Sequence, residues 1–340
     1  MLNKEDTLAL LDWYHARKRV LPWREEATPY HVYLSEIMLQ QTRVEAVRSY
    51  YLRFLDKFPT LASLAEGKED DVLRLWQGLG YYSRGRNLYK TATIVKEKYG
   101  GELPTKEKEL LSLPGIGRYT AHAILALADS LPYVALDGNL VRIYSRNTAS
   151  ELWKNSPEMI KEGEAYFQKA VSYSPKEVTS ALMDLGELVC LPNGKPDCLH
   201  CPLQKHCLAH QQGKEEDYPL QPPKKERRKE ERYLFLLRYQ NKVVMQKRPE
   251  KGLLASLYEF PNVLKGKETI EQILKEKGFQ YASYRSLFTY RHIFSHLEWN
   301  LEVIEVELKE ENKNYLFVPY EELSNYSLPS AFRKAREVLP

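Results

Sequence analysis

Outside residues 190–207 the chain contains no cysteine, so the four it has, Cys190, Cys198, Cys201 and Cys207, can pair only with one another. No stretch approaches the ~20 consecutive apolar residues that a membrane span requires. The N-terminus, MLNKEDTLALLDWYHARKR, is charged every few residues and lacks the apolar core of a secretory signal. These absences argue against a disulfide framework and a membrane protein, and for a soluble, intracellular chain with reduced thiols. An excess of one charge is missing too: 50 Lys and Arg against 46 Asp and Glu leave +4 over 340 residues. Any polyanion must then be met by a local basic face rather than by the whole surface. Fixed-period repeats are absent, which excludes a solenoid.

What is present starts with the cysteines, spaced C-x7-C-x2-C-x5-C. Converging thiolates suit zinc or an iron–sulfur cluster, because soft sulfur ligands select those metals. Structural zinc usually joins two separate close-spaced knuckles, whereas here three ligands crowd into residues 198–207 with the fourth upstream. The spacing favours a cluster and leaves zinc open.

The length suggests two domains. Residues 1–213 read as helical almost throughout: Leu8, Leu11 and Tyr14 share a face, as do Val32, Glu36 and Leu39, and Leu110, Leu111 and Leu113 close a run before Pro114. Residues 214–231, KEEDYPLQPPKKERRKEE, offer almost nothing to bury and read as an extended, solvated linker; the basic run 224–229 could touch phosphates but fits that linker better. From residue 232 the period changes. RYLFLLRYQNKVVMQKR reads as two strands about a polar turn, NLEVIEVEL as a third strand, and TIEQILKEKGF as a short helix. The expected fold is multidomain, an all-α domain carrying a thiolate loop followed by an α+β domain over 232–340.

Between helices, LPGIGRYT (113–120) places two glycines in a tight turn ahead of free helix N–H groups, which makes an anion site suited to a nucleic-acid phosphate. Asp137, in VALDGNLVRIYSR, stands at a helix start, where an aspartate is ordinarily a cap. Glu36, in YLSEIMLQQTRVEAV, interrupts an apolar face, so desolvation should raise its pKa unless it pairs with Arg43. Two carboxylates in unlike surroundings can divide the work of a site, one kept protonated by an apolar surround and the other kept ionised by polar neighbours.

LPGIGRYT, about which a helix-hairpin-helix would span 106–129, resembles that motif in base-excision DNA glycosylases. SEIMLQQTRVEAV, GLGYYSRGRNL (78–88), LPGIGRYT, ALDGNLVRIYSR and the four-cysteine loop, in that order, resemble the adenine DNA glycosylases of the MutY type over nearly the whole chain. The resemblance implies a repair hydrolase that flips adenine opposite 8-oxoguanine, or opposite G, out of double-stranded DNA and leaves an abasic site. It implies Glu36 as the acid at adenine N7 and Asp137 as stabiliser of the sugar, with Tyr119 and Asn139 assisting. A four-iron four-sulfur cluster would sit on Cys190, Cys198, Cys201 and Cys207. Gln41 and Tyr81 would wedge into the duplex, with Arg24, Thr42, Tyr82, Gly115 and Gly117 as further DNA contacts on a basic face that includes Arg43, Arg84 and Arg86. Ser295 and His296, in a Nudix-like C-terminal domain, would read the oxidised guanine. The expected setting is a monomer in the bacterial cytoplasm, associated with the nucleoid.

Strand-cutting relatives of the endonuclease III type carry a lysine where this chain has Tyr119, and a phenol cannot form a Schiff base. The first cysteine gap is seven residues where the family usually has six. Glu271 and Glu276 lack the preceding arginine and the density of a Nudix magnesium site, so a scaffold without phosphatase activity is expected. A related glycosylase for another base, or a non-catalytic damage binder, are the alternatives.

Overall fold

The structure is a computed structural model that describes residues 1–223, 226–294 and 296–340. It divides into two units, Met1–Pro222 and Pro223–Pro340. The expected linker is partly structured. Residues Glu215–Asp217 form a helical turn, Leu220 O accepts from Lys154 N at 2.9 Å, and a strand already begins at Arg228.

The first unit is helical and has two apolar cores. One gathers residues 21–125 around Tyr33, Leu34, Phe54 and Trp76; the other joins the N-terminal helix Lys4–Arg17 to residues 134–203 around Leu10, Ile143, Phe167 and Leu185. Three helices run through the interior. Pro29–Leu39 starts on Thr28, whose side chain accepts from His31 N, and buries every residue from Tyr30 to Met38 except His31. A helix buried on nearly all sides has to be apolar all round, which makes the lone carboxylate of Glu36 conspicuous. Arg118–Leu127 buries Thr120 to Ala126, and Gly138–Thr148 buries Leu140 to Asn147. In the N-terminal helix the inward face is Leu10, Leu11 and Tyr14; Leu8, grouped with Leu11 and Tyr14 in the sequence, is 39% exposed. Leu111 likewise faces outward while Leu110 and Leu113 are buried.

The second unit is a mixed sheet of β1 (Arg228–Tyr239), β2 (Lys242–Lys247), β3 (Tyr258–Glu259), β4 (Asn262–Leu264), β5 (Tyr281–Ile293), β6 (Leu297–Leu308) and β7 (Leu316–Pro319), in the order β3-β2-β1-β6-β5, with β4 paired to β1 and β7 to β2. Among the described residues only β1 and β6 pair in parallel. Along β1, Leu234 and Leu236 enter one apolar cluster, Phe235 and Leu237 the other. Both faces of the sheet are therefore covered, and the run YLFLL is continuous rather than alternating for that reason. The helix Ile270–Glu276, closed by a Thr269/Gln272 capping box, covers one face with Ile273 and Leu274.

Candidate active site

A cavity of about 890 Å³ opens in the first unit where the two cores meet. Glu36, Leu39, Gln41, Tyr119, Asp137, Asn139, Met183 and Glu187 line it, together with Arg19, Arg24, Arg43 and Lys176. Its size suits a small organic group held among a few polar side chains.

Glu36 is 5% exposed. Its partner is the phenol of Tyr119, which donates to Oε2 at 2.5 Å; Arg43, the partner considered from sequence, is exposed and precedes the next helix. Burial pushes the Glu36 carboxyl up from its ordinary 4.5 to about 7, against the pull of the Tyr119 hydrogen bond and with help from the charge of Asp137. The same burial, and the two nearby carboxylates, raise the Tyr119 phenol well above its ordinary value, so it stays a donor.

Asp137 caps the helix Gly138–Thr148, its Oδ1 accepting from Leu140 N at 2.8 Å and its Oδ2 from Asn139 Nδ2 at 2.9 Å. Burial raises its pKa, while the Leu140 amide, the Arg142 charge and Asn139 oppose the rise. The two carboxylates thus face one cavity with unlike support: a single phenol for Glu36, a helix N-terminus and an amide for Asp137. Arg142 fixes that second group. It donates to Asn139 Oδ1 at 2.8 Å, Gly186 O at 2.7 Å and Cys190 O at 2.6 Å. Gly186 is required there, since a Cβ at this position would stand 2.5 Å from Asn139 Cβ.

Cys190, Cys198, Cys201 and Cys207 line a second cavity. Arg146 donates to Cys190 Sγ at 3.2 Å, and Cys207 Sγ donates to Arg146 O at 3.4 Å. Burial pushes the Cys198 and Cys201 thiols up to about 12, helped at Cys198 by the Glu215 carboxylate and at both by the other sulfurs, so thiolates here call for a cationic centre. Around a single tetrahedral zinc, with Zn–S of about 2.3 Å, the sulfurs would lie about 4 Å apart. Among the described residues the one set of ligand atoms within 4.8 Å of one another is Cys198, His210 and Glu215, which contains a single sulfur. No three of the four sulfurs form such a set, so the residues fit a multi-iron cluster better than one zinc ion. The long first gap is absorbed locally: residues 192–195 are exposed, Gly194 has φ +74°, and Asp197 N returns to Val189 O at 3.0 Å.

The chain was compared with known proteins. Residues 34–169 match the model of the HhH-GPD superfamily of base excision DNA repair proteins, and residues 232–337 match the NUDIX domain. An adenine DNA glycosylase of Buchnera aphidicola subsp. Schizaphis graminum is 33% identical over 97% of this chain and 97% of its own length. That of Buchnera aphidicola subsp. Acyrthosiphon pisum is 37% identical over 88% and 85%. The chain belongs to the adenine DNA glycosylase family. Among solved structures, a thermostable thymine-DNA glycosylase superposes on 61% of this glycosylase and 95% of itself, with a TM-score of 0.55 and 26% identity.

The glycosylase distributes its expected DNA contacts unevenly. Gln41 and Tyr81 are exposed, at φ +58° and +48°; Thr42 and Tyr82 are half-buried. Gly115, at φ +76°, and Gly117, which precedes the helix Arg118–Leu127, are exposed on the hairpin turn. Gly115 cannot carry a side chain, because a Cβ there would meet Asn87 at 2.8 Å. Two arginines have partners inside the protein. Arg24 lines the cavity and binds Asp184 through both terminal nitrogens, at 2.8 and 3.0 Å, a carboxylate it shares with Arg19. Arg84 is 8% exposed and lies under the surface instead of on a basic face. In the second unit His296 is exposed beside Phe294, whose ring packs 4.9 Å from that of Trp299; Ser295 lies outside the described residues. Sequence reasoning missed Arg142, Gly186 and Glu187, and the one signal available was a glycine inside the helical string DLGEL.

Proposed function

We propose that this chain hydrolyses the N-glycosidic bond of adenine placed opposite 8-oxoguanine, or opposite guanine, in duplex DNA. The observation that carries the proposal is a buried Glu36 whose hydrogen bond comes from a phenol and not from a cation, its carboxyl pushed up by burial to about 7, in one cavity with Asp137. Adenine is flipped into the cavity, since its glycosidic bond is inaccessible within the stack. Protonated Glu36 gives its proton to adenine N7, with Tyr119 orienting the carboxyl; the C1′–N9 bond breaks and adenine leaves. Asp137, ionised and held by Leu140 N and Asn139, stabilises the cationic sugar until water adds to C1′ and loses a proton, leaving an abasic site. Tyr119 offers no amine for a Schiff base, so the strand stays intact.

Gln41 and Tyr81 enter the duplex beside the target, while Thr42, Tyr82 and the amides near Gly115 and Gly117 meet the backbone. Ser295 and His296 read the oxidised guanine. Cys190, Cys198, Cys201 and Cys207 would hold a four-iron four-sulfur cluster, whose iron–thiolate bonds would cross-link residues 190–207. The domains run 1–213 and 232–340, and the enzyme acts as a monomer at the bacterial nucleoid.

The test is incubation with duplexes carrying A opposite 8-oxoguanine, G or T, followed by alkali. Strand breaks should appear only after alkali, most for the oxidised pair, and Glu36→Gln or Asp137→Asn should slow excision by about 10²–10⁴-fold. Binding without cleavage would instead support a damage sensor. Cleavage before alkali that disappears with one lysine substitution would overturn the hydrolytic mechanism.

A further inference from the structure

Arg84 is a buried cation whose hydrogen bonds go to five carbonyls and a hydroxyl. Its Nη1 donates to Ile37 O at 2.8 Å, Met38 O at 3.0 Å and Gln40 O at 2.5 Å. Its Nη2 donates to Leu79 O at 3.1 Å, Gly80 O at 3.3 Å and Thr42 Oγ1 at 3.4 Å. The first set is the carbonyl end of the helix Pro29–Leu39, where unpaired oxygens and the negative helix pole favour a cation. In the second set Leu79 and Gly80 form the turn leading into the helix Tyr82–Tyr99, and Gly80 O also accepts from Trp76 Nε1 at 3.1 Å, while Thr42 follows Gln41 on the other segment. The residue that follows the first set is Gln41 and the residue that follows the turn is Tyr81. Both hold left-handed backbone, at φ +58° and +48°, which a non-glycine residue keeps only when its surroundings enforce it.

We infer that Arg84 is the positioning residue that holds Gln41 and Tyr81 in the conformation that enters DNA, one guanidinium fastening both backbones from below. The inference rests on the proposed wedge role of those two side chains. The planar fork matters, because its donors reach two groups of carbonyls from one plane, and Tyr81 lies over it with the ring centroid 5.4 Å from Cζ. A lysine keeps the charge but presents its donors from a single point.

The full-length protein is mixed with a duplex carrying 2-aminopurine opposite 8-oxoguanine, and the fluorescence rise on unstacking is followed for wild type, Arg84→Lys, Gln41→Ala and Tyr81→Ala. Arg84→Lys should extrude the base roughly tenfold more slowly, the factor expected for losing one hydrogen bond from a charged group, and Gln41→Ala and Tyr81→Ala should be slow as well. In Arg84→Lys the alkaline limb of excision, set by Glu36, should stay where it is in wild type, which a general disturbance of the helix Pro29–Leu39 would not allow. If Arg84→Lys extrudes at the wild-type rate while Gln41→Ala and Tyr81→Ala are slow, the positioning role is overturned and the wedge reading survives. If neither alanine variant is slow, the wedge reading fails and takes the inference with it. Should Arg84→Lys not fold, Gly80→Ala serves in its place: at φ +70° with open space around the Cβ, it strains the turn without a clash and should slow extrusion as well. Wild-type extrusion by Gly80→Ala overturns the inference.

Discussion

Two glutamates, one in each unit, are buried to the same degree and live in opposite surroundings. Glu36 is 5% exposed and Glu259 4%. Glu259, on β3, accepts from Arg248 Nη1 at 2.5 Å, Gln246 Nε2 at 2.8 Å and Asn262 Nδ2 at 2.8 Å. Glu36 has one phenol. A buried carboxylate met by a guanidinium and two amides is a structural tie, because its charge is matched where it stands. One met by a single neutral donor keeps its proton to near neutrality and can give it away. Burial alone does not decide what a carboxyl can do; the groups hydrogen-bonded to it do. The first unit holds its own internal control in Asp184, fully buried but bound by Arg19 and Arg24, which ties helices together beside the cavity.

The comparison breaks first at Glu259. Glu259→Ala strands the Arg248 guanidinium, and the loss should be about 3–5 kcal/mol, read as faster hydrogen exchange of the β2 and β3 amides. Unchanged exchange would mean that the pair does not tie the sheet. Glu36 should respond with the opposite sign. Its folded pKa, about 7, lies above the ordinary 4.5, so the stability it contributes is fully present below 4.5 and is lost as pH rises through about 7. The loss amounts to about 3 kcal/mol. Glu36→Gln removes that dependence, so the variant should unfold at higher urea than wild type at pH 8 although it excises poorly. A destabilised variant at pH 8 would show that the ionised carboxylate is supported after all.

These differences were only partly written in the sequence. The string SEIML announces a carboxylate in an apolar helix, and VALDGN announces a helix cap, because both signals are local. The four cysteines are likewise legible from spacing. Arg24 and Arg84 are not. Each looks like a surface cation, yet the partner of Arg24 lies 160 residues away and the carbonyls around Arg84 include some 44 to 47 residues earlier. No periodicity carries such information. In the second unit β5 escapes a pattern reading, since none of its residues is fully buried and its pairing with β6 shifts register twice. β3 and β4 are two and three residues long, too short to show a period at all.

The smallest effect refines the comparison at the one hydrogen bond Glu36 possesses. The Tyr119 phenol donates to the carboxylate and so favours its ionised form; Tyr119→Phe removes that support while leaving the ring in place. The Glu36 pKa should rise further, by about one unit, the order of a single hydrogen bond to a charged group. In the proposed mechanism excision requires the protonated acid, so the rate should hold to higher pH in the variant, its alkaline limb displaced upward from about 7. The rate on the acid plateau should fall by a smaller factor than in Glu36→Gln, because the proton donor remains. Single-turnover rates between pH 5 and 9 read both quantities at once. An alkaline limb that stays in place would mean that the phenol does not set the acidity of Glu36, and that burial and the charges of Asp137 and Arg24 do.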